Sequence, residues 1–127
     1  MVDFQGCKKS TEAIVGVNKD PNFGPMLMFG KGGVFANYEQ DVAFELSRNY
    51  GAATADRQLR KTKIFQVLEG VRGQPPSDMA ALKAVLLRLA RLANAFPEIS
   101  ELDMNPLLVF AEGEGVSAVD VKITLAE

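Results

Sequence analysis

The sequence has no histidine and a single cysteine, Cys7, among its 127 residues. One cysteine excludes an internal disulfide, and the missing histidine removes the commonest zinc ligand and the commonest general base at neutral pH. Zinc sites and histidine-based triads are therefore not expected. Basic and acidic residues nearly balance: a formal net charge of -2 gives no broad positive field for nucleic acid or anionic lipid, so any nucleotide contact must be local. No apolar run approaches the roughly 18 residues that span a bilayer. The opening nine residues contain Asp3 and lack the apolar core of a signal peptide, which makes a cytoplasmic location the expectation.

What is present is ordinary globular composition, 47% hydrophobic and 24% charged, in a length suited to one domain over residues 1–127 with room for a real core. Glycine and proline divide the chain into a strand-rich front, a helical middle and a strand-rich end, an order that predicts an α+β fold. Residues 12–17 form a β-branched stretch. The dense turn signal at 20–25 then precedes the apolar run 26–29, which predicts two strands joined by a loop. Residues 34–38 and 41–46 are candidates to continue the sheet.

Thr54 is a candidate cap for a helix running to about Leu68, with Asp56 in its first turn and Gly70 as the stop. The next helix is the clearest element. Pro75 and Pro76 end the loop before it, Ser77 is placed to cap it, and Leu82, Val85, Leu86, Leu89, Leu92 and Ala93 recur at helical spacing. That stripe reads as core packing, and Lys83, Arg88 and Arg91 fall off it as solvated charges.

Chemistry concentrates after Ile99. Strand periodicity puts Glu101, Asp103 and Asn105 on one face and Leu102 and Met104 on the other. Pro106 favours an edge, bulge or strand end, and residues 107–110 read as buried. The turn at 112–115 leads into alternation over 116–125, with Asp120, Lys122 and Thr124 on one side and Val119, Val121 and Ile123 on the other. If the two segments pair as a hairpin, Asn105 lies opposite or diagonal to Asp120 and Lys122. Asp103 and Asp120 on one surface repel, and a hard divalent cation converts that repulsion into coordination. Magnesium suits the set, because it takes one or two protein oxygens and completes its shell with water and phosphate. A solvated acidic hairpin balanced by Lys122 is the competing reading.

The glycines at 30, 32 and 33 around Lys31 are placed to offer amides to phosphate, but the stretch lacks P-loop spacing, and a tight strand connection needing positive φ explains it as well. Arg72 is a further candidate for phosphate or carboxylate contact, set against an ordinary surface ion pair.

The run Glu-Leu-Asp-Met-Asn-Pro-Leu-Leu-Val at 101–109, followed by Ala-Val-Asp-Val-Lys-Ile at 118–123, resembles the carboxy-terminal hairpin of ATP-grasp acyl-CoA synthetases and of the succinyl-CoA synthetase β subunit. Upstream, the stretches 16–35, 41–44 and 68–76 resemble the ADP-forming acetyl-CoA synthetase branch and a related domain of some protein acetyltransferases. The likeness covers nearly all of the chain after Glu12. It implies a carboxy-terminal ATP-grasp subdomain, a mostly antiparallel sheet with two main helices packed on it. It also implies Mg2+ and ATP/ADP as cofactors, with Asn105 and Asp120 as metal ligands, Asp103 and Lys122 near the transferring phosphoryl group, and Gly30, Gly32 and Gly33 at the nucleotide.

The resemblance further implies interconversion of acid, CoA and ATP with acyl-CoA, ADP and phosphate, through a phosphohistidine. The family's other ATP-grasp lobe, the CoA-binding domain and the relay histidine are expected in a partner or another part of a longer chain, with this stretch inactive alone. Asn37 and Glu45 depart from the family's glutamate and arginine. An assembly module derived from the same fold, with a tendency to form homo-oligomers, is the second expectation.

Overall fold

An apolar run at 13–17, flanked by polar residues, makes the first strand, β1 (Thr11–Asp20), whose Ala13, Val15 and Val17 are buried on one face. The computed structural model describes residues 10–32, 41–70 and 73–126. A turn anchored by the Asp20 carboxylate, which accepts from the amides of Asn22 and Phe23, returns the chain into β2 (Gly24–Lys31). β3 (Val42–Leu46) then adds to the far edge of β2. The strand expected at 34–38 lies outside the described residues.

Among the described residues three helices follow: α1 (Ala52–Arg60), α2 (Ile64–Leu68) and α3 (Met79–Ala95). The single helix expected from Thr54 to Leu68 is in fact two. The Asp41 carboxylate, arriving from the start of β3, accepts from the amides of Lys63 and Ile64 at 2.7 and 2.8 Å and starts a new helix there. Thr54 is not the cap either. Gly51 holds that position, and the Thr54 hydroxyl, inside the first turn, accepts from the Gly51 amide. Asp56 lies beyond the first turn and is occupied by Arg60 and Lys83 instead of the helix dipole.

The cap of α3 also shifts by one residue. Asp78, and not Ser77, accepts from Ala81 N–H at 3.0 Å, while its other oxygen accepts from Gly115 N–H at 2.8 Å. One carboxylate thus fastens the helix start to the turn at 112–115 that follows the last long strand, and these backbone donors hold its pKa below the usual value. Ser77 is instead tied to Leu68 through its amide and bridges to Ala111. The α3 stripe behaves as its spacing predicts, with Leu82, Leu86, Leu89 and Ala93 buried and Val85 and Leu92 packed at the margin.

The chain closes with β4 (Ile99–Val109), β5 (Val116–Ala118) and β6 (Val121–Leu125). All strand pairs are antiparallel, in the order β3-β2-β1-β4, with β5 and β6 following one another along the outer edge of β4. The one strand expected over 116–125 is therefore broken. Val119 donates to the Pro106 carbonyl and Asn105 to that of Asp120, so the ladder changes step where β4 bulges. Across that bulge the buried set moves from Leu102 to Leu107 and Val109.

The α+β expectation, a mostly antiparallel sheet with helices on it, is what the fold shows. All three helices lie on one face of the sheet. Between them and the strands sits one core of Leu27, Phe29, Leu59, Leu68, Leu82, Leu86 and their neighbours. Two polar ties cross this layer. Buried Gln58 donates to the carbonyls of Leu27 and Ala43, both at 2.9 Å, and accepts from the Tyr50 hydroxyl at 2.6 Å. Glu45 on β3 accepts from Arg57 and Lys61 of α1 and is held at about 2, first by the Arg57 hydrogen bond and then by Lys61, against the opposing pull of burial. Among the described residues no helix is long and apolar enough to cross a membrane.

Candidate functional site

Among the described residues no helix lies over the opposite face of the sheet, and its side chains follow from register alone. Reading across the strands, Phe44 stands beside Met28, Met28 beside Gly16, Gly16 beside Asp103 and Asp103 beside Lys122. The next row is Met26, Asn18, Glu101 and Thr124. Directly paired residues on antiparallel strands share a face, so these rows form one surface. They enclose a groove of about 320 Å³ lined by Gly16, Asn18, Met28, Glu101, Asp103, Lys122 and Thr124 among others.

Gly16 sets the floor of this groove. A Cβ there would lie 2.7 Å from the Leu102 carbonyl oxygen, so only glycine lets β1 and β4 approach this closely. Sequence reasoning passed over it, although an isolated glycine inside a β-branched run is a known sign of close backbone approach.

Asp103 is half-buried beside that floor. Its pKa is raised, mainly because burial disfavours the charged form and further because Asp120 and Glu101 repel it, with Lys122 opposing. The carboxylate is therefore held in an environment short of positive charge. One step along the strand, Asn105 N–H donates to the Asp120 carbonyl at 3.2 Å, which makes the two residues cross-strand partners with their side chains on the Asp103 side. Both are solvent-exposed. They stand past the groove lining, at the end where Asp103 and Lys122 close it.

Among the described residues no three acidic side chains gather as a ready-made metal cage. The donor set is an amide oxygen and one or two carboxylates, which suits a hard cation that keeps water and phosphate in its shell and does not suit one needing a full protein cage.

The glycine stretch is placed differently. Gly30 and Gly32 have no positive φ. A Cβ on Gly30 would lie 2.4 Å from the Asp41 carbonyl oxygen, and one on Gly32 would lie 2.8 Å from the Ala13 backbone. Lys31 and Gly32 amides donate to Asp41 and Glu12 carbonyls. These two glycines thus serve close strand packing, and those two amides are engaged. Gly33, Asn37 and Arg72 lie outside the described residues. Glu45, the other departure noted in the sequence, points into the helix layer, where Arg57 and Lys61 hold it.

Comparison with known proteins decides the family. The family described as "ATP-grasp domain" matches residues 1–125. The chain belongs to the ATP-grasp family. This ATP-grasp chain is 40% identical over 116 residues to an ADP-forming acetate–CoA ligase I of Archaeoglobus fulgidus, covering 91% of the chain and 16% of the relative. It is 36% identical over 119 residues to the β subunit of an ADP-forming acetate–CoA ligase II of Pyrococcus furiosus, covering 93% of the chain and 50% of that subunit.

An acetyl-coenzyme A synthetase 1 of Ca. Korarchaeum cryptofilum, solved with coenzyme A and Mg-AMPPCP, superposes with a TM-score of 0.85 at 36% identity, over 92% of this chain and 54% of that one. The ATP-grasp chain thus resembles parts of ADP-forming acyl-CoA synthetases and spans about half, or less, of each of these relatives.

Proposed function

We propose that this chain supplies the magnesium and nucleotide end of an ADP-forming acyl-CoA synthetase, which interconverts acyl-CoA, ADP and phosphate with acid, CoA and ATP. The observation that carries this reading is the cross-strand pairing of Asn105 with Asp120 beside the Asp103–Lys122 pair on the open face of the sheet. Asn105 and Asp120 hold the cation, which neutralises nucleotide phosphates and offsets the repulsion now acting on Asp103. Lys122 sits where its ammonium steadies a transferring phosphoryl group, and Asp103 orients the same centre from the neighbouring strand. The similar acetyl-coenzyme A synthetase 1, solved in complex with coenzyme A and Mg-AMPPCP, supports the assignment.

The sequence has no histidine, so a phosphohistidine relay, together with the acyl and CoA sites and the other ATP-grasp lobe, comes from elsewhere in the assembly. The chain on its own does not complete a turnover. Calorimetric titration with Mg-ADP tests this. Binding that requires magnesium and weakens at least about tenfold in Asp120→Asn is expected, whereas equal affinity with EDTA or in the variant refutes the assignment. A second reading, an assembly module built on the same fold, is favoured by one observation, the exposed apolar face of β6.

A further inference from the structure

The sheet is wider than its helical cover. α3 lies on β1 and β2, and β6 carries Val121, Ile123 and Leu125 on the helix side with between 47% and 64% of each exposed. Phe96, at the end of α3, and Val119 are exposed as well. The edge is also open. Asn105 bonds to Asp120, so in an alternating antiparallel ladder Asp120, Lys122 and Thr124 turn their backbone groups toward β4, and Val121, Ile123 and Leu125 turn theirs outward. Among the described residues no strand takes that outer edge. Val-Lys-Ile-Thr-Leu contains no proline, and its one charge, Lys122, lies on the other face.

The order of side chains identifies the occupant. We propose that β6 pairs antiparallel with β6 of a second copy of this chain, about a twofold axis through Ile123. In that register Val121 meets Leu125 of the second copy and Ile123 meets its counterpart, each pair at outward-facing backbone groups. Lys122 then faces Thr124 of the second copy, so no like charges stand directly opposite. Centring the axis on Lys122 instead sets ammonium against ammonium and faces the wrong backbone groups outward. The Ile123 register joins apolar to apolar and polar to polar along the whole strand, and the two copies use the same patch, as a closed dimer requires.

Sedimentation equilibrium without divalent cation or nucleotide tests the interface independently of the metal reading. A concentration-dependent monomer–dimer equilibrium is expected. Ile123→Lys, which places two ammonium groups against each other at an exposed position, should raise the dissociation constant about tenfold or more. Thr124→Asp, which gives Lys122 of each copy a carboxylate to face, should lower it. A monomer at every concentration overturns the proposal, as does a dissociation constant unchanged by either substitution.

Discussion

The two faces of one sheet differ in what their polar groups are for. On the helix side, Gln58 and Glu45 are matched to partners within the chain, and among the described residues no buried side-chain nitrogen or oxygen is left without a hydrogen bond. On the open side, Asp103 is half-buried among Asp120 and Glu101, and Lys122 only partly offsets their repulsion. Polar groups that the fold satisfies stabilise it. Those it leaves in tension are available to a ligand. Substitutions on the two faces should therefore separate stability from binding.

The largest effect belongs to the helix side. Gln58→Leu removes two hydrogen bonds to strand carbonyls and leaves the half-buried Tyr50 hydroxyl without its acceptor. Urea unfolding should show a loss of about 2–4 kcal/mol, with Mg-ADP affinity of the folded protein unchanged. Loss of that affinity would break the separation between the faces.

Glu45→Gln should cost less, about 1 kcal/mol at neutral pH, because its partners Arg57 and Lys61 are largely solvent-exposed. The sign with pH is fixed by the depressed carboxyl. The stabilisation is fully present above the ordinary value of 4.5 and disappears as pH falls toward about 2. The unfolding curves of wild type and variant should therefore converge across that interval, and a constant difference would show that the carboxylate charge is not the cause.

Much of this was legible in the residues themselves. The α3 stripe and the polar set Glu101, Asp103 and Asn105 follow from periods of 3.6 and 2, and the strand pair around the 20–25 turn from a β-branched stretch, a turn signal and an apolar run, all local properties. The features that were misplaced depend on distant groups. The break between α1 and α2 is made by Asp41, which lies on another element. Asp78 outcompetes Ser77 as a cap because the Ser77 segment is paired with the Leu68 and Ala111 regions. The split of 116–125 into β5 and β6 reflects the bulge in β4 at Pro106, across the ladder. Glycines 30 and 32 read as phosphate loop or tight connection from sequence. Only the proximity of Asp41 and Ala13 backbone shows why no side chain fits.

The smallest stability change is the most telling, because its sign is reversed. The Asp103 pKa is raised, so its ionised form is penalised in the fold, and the penalty is fully present once pH exceeds the folded value. Asp103→Asn should raise the stability of the ligand-free protein at neutral pH, by about 0.5 kcal/mol after solvent screening. The same substitution should reduce the increase in unfolding midpoint that Mg-ADP gives the wild type. Measuring that midpoint for both proteins, with and without Mg-ADP, tests the account directly. A more stable free variant with a diminished ligand shift is predicted, and a less stable variant that keeps the full shift would contradict it.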